Sequence, residues 1–381
     1  MARLGDVASY VNGFAFKPSD WSDEGLPIIR IQDLTGNSYQ ANRYNGEYHP
    51  KYEVNDGDVL ISWSASLGVY VWHGEKAVLN QHIFKVVFDK AEVDKSFFVH
   101  QVQNILENAV SEAHGATMKH LTKPVFDALP FYLPSMEKQK EIAAVMDKIS
   151  GLIALRKEQL SKLDRLVKSR FIEQFGDPTI NPMEWDKVNI TAVVGGKVSN
   201  GFFAKRDDYC DDGNVKVLGV AHVVNRMYSN TEDLPKTNGT EADIVKYGVK
   251  YGDMLFCRSS LVAAGIGKAS IVPKGTPSNV LFECHVIRLP LDLDKCVPEF
   301  MQVLSTTDYF RNQVIAQSKT ATMTTIGQDG ILKTEIILPP LELQKKFLKF
   351  VEQIDKSKLA IQASLDKLEL LKKSLMQEYF G

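Results

Sequence analysis

Apolar and polar positions follow two different periods along this chain, and each period occurs twice. Phe347, Ile354, Ile361, Leu368 and Leu375 recur every seven residues, with Phe350, Val351, Leu365 and Leu371 between them. An earlier segment keeps the same register through Ile142, Ile149 and Leu163. There Val145, Met146, Ile153, Leu160 and Val167 interleave, while Arg156 and Arg170 break the seam. Apolar residues sustained at this spacing predict coiled-coil helices, because a helix returns to nearly the same face after seven residues. The helices open at "LPSMEKQKEI" from Leu133 and "LPPLELQKKF" from Leu338, where proline suits a first turn. Ser135 is placed to cap exposed amides, and Glu137 and Glu342 sit where the helix dipole favours an acid. "FGDP", at Phe175–Pro178, supplies the stop. Helices are therefore expected over 134–177 and 339–381. At ~1.5 Å per residue, about forty residues span roughly 60 Å. Neither can hide its apolar stripe alone, so they pair with each other, or else join two chains as a dimerisation coiled coil.

Shorter apolar runs predict strands at 27–32, 58–63, 82–88 and 128–134, and again at 215–221, 253–257, 285–289 and 334–339. One helical stretch precedes the closing strand of each half, at 96–113 and 298–316. The two halves are copies. Leu133 and Leu338 lie 205 residues apart, and that offset also relates Ala116–Met118 to Ala321–Met323 and Phe175-Gly176 to Phe380-Gly381. About sixty residues thus match without an insertion, which marks a rigid element of fixed length. Upstream the offset drifts: "NGF" at Asn12–Phe14 and at Asn200–Phe202 are 188 apart, and the "GD" strands at Gly57 and Gly252 are 195 apart. Drift of this kind means loop insertions on a shared core. The expected class is α+β, with similar α/β domains at 1–133 and 178–338, each followed by one long helix.

Length and composition narrow the function only slightly. With 381 residues the chain can bury two cores, and a net charge of −2 gives no bulk attraction to nucleic acid. A basic surface must then be local, or supplied by a partner. No run reaches the ~18 apolar residues of a membrane helix, and the N-terminus lacks a signal peptide's basic start and apolar core. A cytoplasmic location is the resulting expectation. Cys210, Cys257, Cys284 and Cys296 show no paired spacing and are expected as free, mostly buried thiols.

Two stretches and the histidines invite an enzymatic reading, and each fails it. "INPMEW", Ile180–Trp185, lacks the second proline and following aromatic of the adenine-N6 methyltransferase loop, and reads as a linker. "GIGKAS", Gly265–Ser270, has Val262 and Ala269 where a phosphate loop needs glycine and Ser/Thr, so it reads as a turn between strands. The eight histidines form no HxxxH or HExxH pair, and neither a metal site nor a catalytic residue is expected.

What remains is a set of polar loops at equivalent places in the two halves. Side chains of the kinds that read base edges and grip phosphates are Arg30, Gln32, Ser62, Ser64, Asn80, Gln81, His82, Lys119, His120 and Lys123 in the first half. In the second they are Lys205, Arg206, Arg258, Ser259, Ser278, Asn279, Lys319, Thr322 and Thr324. The plain alternative for each is a solvated loop with capping Ser or Thr. Phe14, Phe202 and Trp63 read as loop or core anchors rather than base-stacking platforms.

The helix openings, "GATMKHL", "RFIEQFGDP" with "NPMEW", and the paired "NGF" and "GD" strands together resemble the specificity subunits of type I restriction–modification systems. The resemblance covers essentially the full length. It implies two target recognition domains that each read half of a split duplex DNA sequence, separated by two helices that pair antiparallel as a spacer. Gln139, Ile142, Ile149, Leu163, Gln344, Phe347, Ile354, Ile361, Leu368 and Leu375 fall on those helices, which the resemblance makes the dock for two modification subunits. It places S-adenosylmethionine on the modification subunits, ATP and Mg2+ on the partners, and cleavage on restriction subunits, with no cofactor on this chain. The segment before the first domain is only a few residues, whereas "GDPTINPMEWDKV" leads into the second. A rod of ~60 Å limits the half-sites to about 18 base pairs apart, at ~3.4 Å per pair. The alternatives are a coiled-coil scaffold without DNA specificity and, further off, a stand-alone adenine methyltransferase.

Overall fold

The glutamine shared by both helix openings organises each half of the protein. In the computed structural model, which describes residues 2–36, 42–64, 66–112 and 122–381, the long helices run Met136–Phe175 and Leu341–Phe380. Gln139 is buried, accepts a hydrogen bond from the Asp94 amide at 2.9 Å and donates to the Pro134 carbonyl at 2.9 Å. Gln344 is equally buried, accepts from the Val297 amide at 2.9 Å and donates to the Pro339 carbonyl at 2.7 Å. Asp94 and Val297 directly precede the helices Lys95–Glu112 and Pro298–Ser305, so one amide side chain ties the start of two helices in each half. Ser135 caps as expected, accepting from the Lys138 amide at 3.4 Å. The first helix stops at Gly176, whose φ of +77° suits glycine.

The chain divides into two units, Met1–Lys157 with Ala363–Gly381, and Glu158–Gln362. Each unit therefore takes half of both long helices, a division that the expected linear order of domain, helix, domain, helix does not contain. In the second unit, Asp164 pairs with Lys358 and the Gln174 amide donates to the Leu343 carbonyl at 2.8 Å. The rising and falling numbers show that the helices pair antiparallel, within one chain. In the first unit Lys157 reaches Glu369 at 2.9 Å.

Both units carry the same sheet. In the first, Ser9–Asn12, Ile83–Val87, Val59–Ser62 and Gly68–Val71 lie side by side in that order, all antiparallel. In the second the order is Ser199–Asn200, Val286–Pro290, Asp253–Cys257 and Ala269–Ile271. A second sheet follows in each, four-stranded in the first unit and three-stranded in the second, and each contains one parallel pair: Leu26–Ile29 with Ala77–Leu79, and Val215–Leu218 with Val280–Phe282. Ala2–Arg3 pairs with Pro130–Phe131 as Lys187–Asn189 pairs with Glu335–Ile337.

Several boundaries differ from the sequence expectation. The run 27–32 is a strand only to Ile29, because Arg30 is the N-cap of a one-turn helix, Ile31–Leu34, with its amide bonded to Asp33 at 2.8 Å. The run 215–221 likewise ends at Leu218 before the turn Val220–Val223. The stretch 298–316 is two helices, Pro298–Ser305 and Asp308–Ala316. Residues 178–186 form the expected linker, fixed by the Trp185 indole donating to the Phe175 carbonyl at 2.8 Å.

The heptad residues mostly serve these cores. Phe171, Phe175, Phe300 and Phe347 are fully buried in the second unit, with ring centroids 4.9–5.7 Å apart. Each buried ring contributes roughly 1.5–3 kcal/mol. Ile142, Met146 and Met376 join Phe97, Phe126 and Phe131 in the first. Leu371 departs from the expected seam: it is exposed. All four cysteines are free, with Cys257 and Cys296 buried and the other two half-buried. Among the described residues, no helix is long and apolar enough to cross a membrane.

Candidate nucleic-acid interface

The repeated "NGF" sets the geometry of one loop in each unit. A Cβ on Gly13 would lie 2.2 Å from the Asn80 carbonyl oxygen, and one on Gly201 2.2 Å from the Phe282 carbonyl oxygen. Only glycine allows so close a backbone approach. The Phe14 amide then donates to Leu79 at 2.6 Å, and the Phe202 amide to Phe282 at 2.7 Å. These contacts hold the loops that follow the strands Ala77–Leu79 and Val280–Phe282.

In the first unit the loop after Ala77–Leu79 presents Gln81 and His82 to solvent, their side-chain nitrogens 3.4 Å apart. Asn80 is half-buried and turns its side-chain oxygen to the His82 amide at 3.3 Å, so it shapes the loop. Phe14 packs with Phe16, Tyr44 and Tyr52 at 4.8–6.1 Å, which makes it a loop anchor as expected. Ser62 is fully buried, donating to the carbonyls of Ser66 and Gly68, and Ser64 is buried too; neither presents a hydroxyl to a ligand. Arg30 is half-buried over the exposed Trp21 ring, and Gln32 is half-buried in the following turn. Lys123 is exposed, but Asp127 at 2.8 Å neutralises it. Lys119, His120 and the "GATMKHL" stretch lie outside the described residues.

The second unit brings two expected loops together. Ser259–Ser260 pairs with Thr324–Thr325, which pairs in turn with Lys319–Thr320, forming a three-stranded ledge. Lys319 and Thr322 are exposed on it. Ser259 shares a hydrogen bond with the Nδ1 of exposed His285 at 3.1 Å. Arg258 is half-buried and donates to the Cys284 carbonyl at 3.1 Å, joining the ledge to the loop after Val280–Phe282. Thr324 is buried, its hydroxyl 3.0 Å from that of Thr320, and holds the hairpin instead of facing a ligand. Ser278 and Asn279 lie elsewhere, at the opposite end of the Val280–Phe282 strand, where Asn279 donates to the Asn214 carbonyl at 3.0 Å. Lys205 and Arg206 are exposed but share a single turn with Asp207 and Asp208.

Sequence reasoning missed Phe203, 69% exposed beside the glycine loop, and Leu261, 82% exposed at the tip of the ledge. It also missed His285 as a partner of Ser259. The second phenylalanine of "NGFF" was the available signal for Phe203. Among the described residues no group of His, Cys, Asp and Glu is arranged to hold a metal.

The duplicated architecture and its paired polar loops can be set against known proteins. The family model described as "Type I restriction modification DNA specificity domain" matches residues 1–165 and again 182–371. The chain belongs to that family. The EcoBI specificity subunit of Escherichia coli is 21% identical over 99% of this chain and 84% of its own length. The MjaVIII specificity subunit of Methanocaldococcus jannaschii is 23% identical over 99% of this chain and 90% of its own. Among solved structures, the type I restriction–modification S subunit of M. genitalium superimposes with a TM-score of 0.52 at 11% identity, covering 100% of this chain and 95% of that one. As in the rest of its family, the chain is a DNA specificity subunit and not a catalytic one.

Within this specificity subunit the long-helix residues divide by exposure. Gln139, Ile142, Ile149, Gln344, Phe347 and Ile354 are buried in their own units, and Leu163, Ile361, Leu368 and Leu375 are half-buried. The six buried ones are spent on the cores of their own units. The exposed apolar positions on the helices are instead Leu152, Leu155, Leu370 and Leu371 in the first unit, and Leu166, Ile172 and Leu359 in the second.

Proposed function

We propose that each unit reads one half of a bipartite duplex DNA sequence while the paired helices set the gap between the halves. The observation that carries this reading is the repetition of one sheet order in both units, each ending in polar loops of different sequence. Gln81 and His82 contribute donors and acceptors in the first unit, and Ser259, His285, Lys319 and Thr322 do so in the second. Two modification subunits dock on the helices, one against Leu155 and Leu370 and the other against Leu166 and Leu359. They hold S-adenosylmethionine and methylate adenine; ATP and Mg2+ belong to the partners, including restriction subunits. This chain holds no cofactor and performs no covalent step.

Deleting the chain from a host that carries it with its modification partner tests the reading. Loss of adenine methylation across the genome is the expected result. Unchanged methylation contradicts it and leaves the helices as a scaffold.

A further inference from the structure

A cluster of positive charges without paired carboxylates lies beside the ledge in the second unit. A cavity of about 400 Å3 is lined by Lys168 from the first long helix, Arg226, Lys268 and Arg311, together with the Asp164–Lys358 ion pair. Its volume is many times the ~30 Å3 share of one water in the liquid.

Three of these cations are held by neutral oxygens. Arg226 donates to the carbonyls of Val224 and Ala221, both at 3.3 Å. Lys268 donates to the Asn225 side-chain oxygen at 2.7 Å, and Arg311 to the Ala264 carbonyl at 3.2 Å. The Nη1 of Arg311 is buried with no hydrogen-bond partner. The fourth, Lys168, is exposed on its helix. Among the described residues none of the four faces a carboxylate within salt-bridge distance, and the only acid in the lining, Asp164, is already neutralised by Lys358. Burial pulls the Arg311 guanidinium below its ordinary pKa, as expected for a cation lacking its counter-charge.

The cavity continues into the ledge. Asn225 and Lys268 also line a second hollow, of about 340 Å3, whose other walls include Ser259, Ser260, Leu261 and Met323. Base-reading side chains and an unpaired cationic pocket therefore share a wall. Protein surfaces that read bases place most of their remaining contacts on phosphates, which fix register without carrying sequence information.

We infer that Lys168, Arg226, Lys268 and Arg311 form a seat for a phosphate of the DNA backbone flanking the half-site read on the ledge. The inference rests on the proposed DNA reading and adds to it the group that anchors the second unit. The same chemistry suits a free polyphosphate, and the test separates the two sources.

The test uses the chain assembled with its modification subunits. Binding is measured across a salt series on a labelled duplex carrying the methylated motif, on a scrambled duplex of equal length, and on tripolyphosphate alone. The double variant Lys168→Gln/Lys268→Gln is expected to weaken both duplexes by the same factor. It is also expected to lower the slope of log affinity against log salt by about 0.9, the value for the one phosphate the seat neutralises. Lys168→Arg/Lys268→Arg keeps the slope, and the methylated motif stays the same in both variants. An unchanged slope in the glutamine variant overturns the seat, as does a variant that weakens assembly with the modification subunits but not the slope. Tight tripolyphosphate binding that disappears in the variant, with the duplex slope intact, reassigns the pocket to a free anion. If the unaltered assembly shows no preference between the duplexes, the DNA reading itself fails, a result distinct from failure of the seat.

Discussion

Gln139 and Gln344 make the same two hydrogen bonds in two halves of one chain, each joining the opening of a long helix to the residue before a shorter one. A buried amide that satisfies one donor and one acceptor leaves both without a partner if it is removed. Replacing either glutamine by leucine is expected to cost about 1–3 kcal/mol, the desolvation cost of an unsatisfied buried backbone group. Thermal unfolding of the variants checks this, with a methylated motif unchanged in sequence because no loop is altered. A variant as stable as the parent contradicts the assignment.

Gly13→Ala and Gly201→Ala place a methyl 2.2 Å from the backbone oxygens of Asn80 and Phe282. Overpacking of this kind costs about 1–3 kcal/mol. The effect is expected to be local: Gly13→Ala weakens recognition in one half of the motif and Gly201→Ala in the other. Methylation frequency at sites mismatched in one half or the other reads this out.

The pH dependence of stability is expected to have a contribution from His100. Burial lowers its pKa, outweighing the Asp147 carboxylate 2.8 Å away, while Lys372 also disfavours the charged ring and Asp94 favours it. The unfolded chain, with a histidine pKa of about 6.5, then binds the proton more readily than the fold does. The stabilisation is complete above that value and is lost as pH falls through the lower folded pKa. His100→Gln is expected to flatten the decline of melting temperature on acidification. Equal declines in both proteins contradict the prediction.

The helices were the most legible part of the fold, because a fixed offset and a seven-residue stripe leave little choice of structure. Even so, Leu371 on that stripe faces solvent, since the seam mixes packing against the partner helix with packing into two cores. Arg170, which breaks the stripe, pairs with Glu173 at 2.8 Å and lies over Phe350, so a charge was carried on its aliphatic stem. The interface was less legible. Ser62 and Thr324 are the right residue types for reading DNA, yet both spend their hydroxyls on the fold. Residue type does not reveal burial at a strand end. The cationic cavity draws on residues 168, 226, 268 and 311, which no local window contains.

The helices' role as a spacer gives a quantitative expectation. Inserting seven residues into each long helix, at matched positions, preserves both apolar stripes and adds ~10 Å at 1.5 Å per residue. The gap in the methylated motif is expected to lengthen by up to about three base pairs, with both half-sequences intact. A gap of unchanged length shows that something other than the helices sets it.

Genome-wide mapping of methylated adenines, in a host carrying this chain with its modification partner, tests the central claim most directly. Exchange of residues 1–130 for those of a relative with a different motif is predicted to change one half of a bipartite sequence and leave the other half unaltered. Exchange of residues 178–338 is predicted to do the converse. A motif that changes in both halves, or in neither, under either exchange contradicts the assignment of one half-site to each unit.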